Sequence, residues 1–200
     1  MPHLFGCSMM SMIWDNFHRK KNMLKDDLLG KADELGRADK PDWREEEAEM
    51  HKRFHSIFSD FLRGNLGAIQ FCMALVFIVH LWDDLIDKDK DRTPHDINAA
   101  FTLMFGTIPT IPFYQQHIQQ LSPLLLSTAL LWQNANEIEH GDDDQQFMAF
   151  IVRQDFVKIF HYCMYLIGGH DYVIQRGPEF LTRIARNSTR RFAEFREEMQ

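Results

Sequence analysis

Along most of the chain, apolar side chains recur at three- and four-residue spacing, the period of a helix that turns one face inward. Between Asp42 and about Arg63 that face carries Trp43, Met50, Phe54, Ile57, Phe58, Phe61 and Leu62. Pro41 suits a first helical turn, and Glu45, Glu46 and Glu47 suit its positive end, so a helix is predicted there. The next predicted helix, Asn65 to about Lys88, is different. Its stretch LGAIQFCMALVFIVHLW, Leu66 to Trp82, has only Gln70 and His80 as clearly polar positions. A helix apolar nearly all round is either a membrane span or the central helix of a helical domain. This one stops short of bilayer length and runs at once into acidic residues, so it is read as a central helix and not a span.

Downstream, Thr93-Pro94 with Asp96 in the first turn starts a further helix over Asp96 to Phe105. Others are predicted over Pro112 to Leu121, Pro123 to His140, Asp142 to Ile167 and Pro178 to Met199. The run FMAFIVRQDFVKIFHYCMYLI is rich in Phe and Val, which also suit strands, but its period and length favour a helix. The expected fold is therefore all-α: a single-domain bundle of about seven to nine helices around the central apolar one. Residues 1–40 are read as peripheral helices and residues 41–200 as the main bundle.

Composition agrees. With 45% apolar and 26% charged residues, 200 residues suffice for one sizeable core, and only 10 Gly and 7 Pro argue against many short strands. The net charge of -7 disfavours nucleic acid as a partner. Cys7, Cys72 and Cys163 are far apart and form no CxxC, so reduced thiols are expected rather than disulfides or a thiolate zinc site. In the apolar N-terminus, MPHLFGCSMMSMIWDNFHRKK, the positive charges follow the apolar stretch, the reverse of a secretory signal, and a cytoplasmic location is expected. The sequence carries no internal repeat, Gly-rich phosphate loop or Gly-x-Ser-x-Gly elbow.

The residues best suited to chemistry are Asp83, Asp84 and Asp87, at the end of the central helix. Spacings of three and four residues gather their carboxylates on one side. Mg²⁺ favours such oxygen ligands and completes its shell with waters and substrate phosphates. Three acids at a helix C-terminus also oppose the macrodipole and one another, a local cost that a cation would relieve. The plainer reading is a solvated helix end, because the run continues Lys88-Asp89-Lys90-Asp91-Arg92 with alternating charge.

The segment FIVHLWDDLIDKD, an apolar helix passing through an aromatic residue into DDxxD, resembles the aspartate-rich motif of the isoprenoid (terpenoid) synthase family. The resemblance implies an isoprenoid-synthase-like all-helical fold, Mg²⁺ held by Asp83, Asp84 and Asp87, and a prenyl diphosphate that ionises to a carbocation. Within the motif, Asp83 and Asp87 are the favoured direct ligands. The family's second metal motif has no full counterpart. Its nearest substitutes are Asn134 and Glu137, which share a face, with Glu139 beside them. Asp142, Asp143 and Asp144 are better explained as N-terminal charges of the next helix. Cations for the diphosphate are expected from Arg153 and Lys158 and from Arg190 and Arg191 near the C-terminus, arginine offering a bidentate fork to phosphate oxygens. Helical periodicity turns Phe54, Phe58, Phe77, Trp132 and Phe150 inward as cavity lining, where aromatic faces favour positive charge.

Two readings of other classes stand beside this one. A helical interaction or assembly protein, forming a homo-oligomer or binding a partner, would show an exposed apolar face and no pocket. A di-iron oxidase would use the Glu-x-x-His pair Glu137 and His140 with His80 and Asp84, although a second Glu-x-x-His is missing. For His80 a hydrogen-bonded core histidine is the simpler state. His95-Asp96 and His170-Asp171 supply the dipeptide of a His-Asp phosphohydrolase, but at turn or helix-start positions where Asp is a cap.

Overall fold

Three helix starts follow from local chemistry that the sequence displays. Asn65 accepts a hydrogen bond from the Ala68 amide at 3.0 Å and so caps the apolar helix Leu66–Asp87. Thr93 and Asp96 form a reciprocal capping box ahead of Pro94, and Asp142 and Gln145 form another. Asp143 and Asp144 then lie in the first turn of that helix, as capping charges should. The structure, a computed structural model, describes residues 43–88 and 90–187, which fall within one compact unit, Trp43–Gln200. The expected N-terminal helices, Cys7, Arg190 and Arg191 lie outside the described residues.

The described elements are α1 (Trp43–Phe61), α2 (Leu66–Asp87), α3 (Pro94–Thr102), a π-helical turn Leu103–Thr107 with a 3₁₀ turn Ile108–Thr110, α4 (Pro112–Ile138), α5 (Asp143–Arg153) and α6 (Phe156–Asn187). All regular structure among the described residues is helical. Helix α2 packs against α1, α3 and α4, while α6 closes on α1 and α4. By length and composition α2 could cross a membrane, and here it carries much of the core. The helices meet through aromatic pairs, Phe58 on Phe160 at 4.9 Å and Phe61 on Phe180 at 5.3 Å between ring centroids. Cys72 and Cys163 are fully buried side by side, and burial raises the Cys72 thiol pKa well above its usual range.

Two boundaries differ from expectation. The two helices predicted either side of Pro123 are one helix, α4, with the proline inside it and non-helical backbone at His117. Proline removes one amide and crowds the carbonyl four residues earlier, yet the helix continues through Pro123, and the departure from helical backbone lies further upstream, at His117. Conversely the long helix predicted from Asp142 to Ile167 breaks at Gln154 and Asp155, and the chain then runs as α6 through Pro178 to Asn187. That second break is what places Arg153 at a helix end.

Within α6 the direction changes at Gly169, whose φ of 74° and ψ of -175° lie in a region only glycine enters cheaply. Gly169→Ala should cost about 1–3 kcal/mol in urea unfolding. Gly106→Ala, where a Cβ meets nothing within 4 Å, should stay within about 0.5 kcal/mol of the parent.

Candidate functional site

Successive residues on a helix point about 100° apart, so the aspartates at the end of α2 cannot all face one way. Asp84 turns to one side and is buried, with its side chain 3% exposed. Arg92 Nε donates to its Oδ2 at 2.6 Å and Lys90 Nζ to its Oδ1 at 2.9 Å. Arg92 also donates two parallel hydrogen bonds to Glu47 of α1, at 2.9 and 2.8 Å, and its guanidinium lies 4.7 Å from the Trp43 ring centroid. Asp84 thus ties the segment after α2 back onto α1.

Asp83 and Asp87, one turn apart, face the other way and remain partly exposed, at 28% and 20%. There they meet Arg153, in the last turn of α5, where a cation also suits the helix dipole. Arg153 Nη1 donates to Asp83 Oδ1 at 2.8 Å and lies 3.9 Å from Asp87 Oδ2. Its Nη2 donates to Asn136 Oδ1 at 2.8 Å and to the buried Glu139 carboxylate. The guanidinium sits 4.7 Å from the centroid of Trp132, which in turn packs on Trp82 at 4.3 Å.

Beneath this cluster lies a cavity of about 160 Å³. Its wall is mostly apolar, including Phe54, Val76, Trp132, Phe150, Phe160 and Ile184, and Asp83, Arg153, Gln154 and Asn187 supply polar groups. His80, one turn before Asp83 on α2, also lines it. Its Nδ1 is 2.7 Å from the Val76 carbonyl oxygen, so Nδ1 carries the proton and donates it. Burial lowers the His80 pKa, against the opposing pull of that carbonyl and of Asp84, while Lys90 and His51 push the same way as burial. His51 on α1 is lowered by burial too, and its Nε2 is sealed without a hydrogen-bond partner.

Of the lining aromatics expected from periodicity, Phe54, Trp132 and Phe150 reach the cavity. Phe58 is fully buried in the core, and Phe77 packs edge-on against His51 at 6.3 Å. Lys158 pairs with Asp155 one turn away, outside the cavity wall. Asn134 and Glu137 are exposed. At the end of α4 it is Glu139, expected beside them, that reaches Arg153, together with Asn136, whose four- and three-residue spacing from Trp132 and Glu139 is the signal that could have found it. Gln154 and Asn187 had no such signal. Of the set considered for a di-iron centre, Asp84 is held by Arg92 and Lys90, and the His140 side chain is 71% exposed beside Glu139. No group of three or more His, Cys, Asp or Glu is gathered for a metal among the described residues. No family model matches the chain, and neither a curated protein nor a solved structure matches it.

Arg92→Met strands two acidic side chains in a site where the arginine is 2% exposed, and Lys90 compensates only in part. It should cost about 3–5 kcal/mol in urea unfolding, and Asp84→Leu/Arg92→Met should recover much of that loss.

His51 and His80 have folded-state pKa values below the ordinary 6.5. As pH falls below that value the unfolded chain takes up more protons than the folded one, so stability is lost on acidification and is unaffected by these groups above it. The urea midpoint should therefore fall between about pH 7.5 and 5.5. The fall should be smaller in His51→Gln/His80→Gln.

Proposed function

We propose that the chain binds a short prenyl diphosphate, tail in the cavity and diphosphate at its mouth, and ionises it with the help of Mg²⁺. The observation that carries this reading is the apolar, aromatic cavity opening on Asp83 and Arg153. An apolar cavity of about 150 Å³ takes up benzene, so a volume of about 160 Å³ suits a tail of about one isoprene unit.

The donor set fits Mg²⁺. That ion usually takes one or two protein carboxylates and completes its shell with waters and substrate phosphates, so a closed cage of three or more protein ligands is not needed. Asp83 and Asp87, partly exposed and one turn apart, would hold it, while Asp84 is committed to Arg92. Bound there, the ion would neutralise charge on the departing diphosphate.

The chain's own groups do the rest. Arg153 lies on the same carboxylates and, with a ligand present, would exchange them for phosphate oxygens, which its planar fork suits equally well. Trp132, Phe54 and Phe150 would turn ring faces towards positive charge in the tail. The apolar wall would keep water from it.

A second reading, an interaction protein, draws on exposed apolar side chains such as Leu126 and Leu130 on α4 and Phe147, Met148 and Ile151 on α5. Calorimetry separates the two. Mg²⁺ binding that requires inorganic diphosphate, and that disappears in a folded Asp83→Asn/Asp87→Asn variant, is the outcome expected of the first reading. No heat with the parent chain overturns it and leaves the second.

A further inference from the structure

The cavity wall is mostly apolar, and on α2 it carries the His80 ring as well as Asp83. His80 donates its only proton, on Nδ1, to the Val76 carbonyl at 2.7 Å, which leaves Nε2 as a lone-pair acceptor. Nε2 has no hydrogen-bond partner among the described residues, yet unlike the Nε2 of His51 it is not sealed off from solvent. We infer that the cavity takes a small neutral molecule with an apolar body and one hydroxyl, an alcohol or phenol, whose O–H donates to Nε2 of His80. This goes beyond the diphosphate reading and does not rest on it, because neither Asp83 nor Arg153 is part of the contact.

Size, wall and tautomer all point the same way. A volume of about 160 Å³ holds a body of roughly benzene size, as an engineered cavity of similar volume does. Phe54, Val76, Phe160 and Ile184 offer that body no hydrogen bond. Of the other polar groups in the wall, Asp83 and Arg153 pair with each other and Asn187 Nδ2 donates to the Arg183 carbonyl at 2.7 Å, which leaves the Gln154 amide beside His80. Burial also keeps the ring neutral near pH 7, so its acceptor persists.

Phenol and toluene have nearly the same shape and differ in the hydroxyl, so they isolate the contact. Calorimetry on the full chain should detect both, and His80→Leu should lower the phenol-to-toluene affinity ratio about tenfold, the usual effect of stranding a buried hydroxyl. In the parent chain labelled with ¹⁵N-histidine, the His80 Nε2 resonance should move upfield with phenol and stay in place with toluene. An unchanged affinity ratio in a folded His80→Leu variant overturns the inference. So does failure of both compounds to bind, or an unmoved Nε2 resonance at saturating phenol, and the resonance decides alone if the variant does not fold. Diphosphate-dependent Mg²⁺ binding should persist in His80→Leu, so the two readings fail separately.

Discussion

The end of α2 concentrates negative charge where a helix tolerates it least, and two arginines from elsewhere in the chain resolve it. Arg92 takes Asp84 into a buried pair that also grips Glu47 and stacks on Trp43. Arg153 takes Asp83 and Asp87 on the opposite side and adds Asn136 and Glu139. One carboxylate is thereby spent on joining elements of the fold, and the other two meet Arg153, with Asp83 at the cavity wall. The rest of the structure follows this division, because α1 and the chain after α2 meet at the first arginine, and α4 and α5 meet at the second.

The two sides differ in what a ligand could change. Asp84, Arg92 and Glu47 are nearly excluded from water, and opening that pair would leave charges uncompensated. Asp83 and Asp87 are partly exposed, although the Arg153 and Glu139 charges beside them are nearly excluded from water.

Trp132 links the cluster to the cavity. Its ring carries the Arg153 guanidinium, stacks near Trp82 and also forms part of the apolar wall. His80 lies one turn deeper, its tautomer set by its own helix through Val76, and gives an otherwise featureless wall a direction.

Much of this was legible in the chain. Helical period marked α1 and α2, Asn65, Thr93 and Asp142 marked the starts of α2, α3 and α5, and the DDLID spacing singled out the helix end whose carboxylates Arg92 and Arg153 divide between them. These are local properties, decided by side chains within one or two turns of each other. Tertiary structure alone decided that one helix continues through Pro123, that Asp84 faces Arg92, and that Asn136 joins Glu139 on Arg153 while Asn134 and Glu137 stay exposed. Those outcomes depend on how helices rotate and cross to bury their apolar faces, and a rotation of one residue, about 100°, is enough to exchange which polar group meets which.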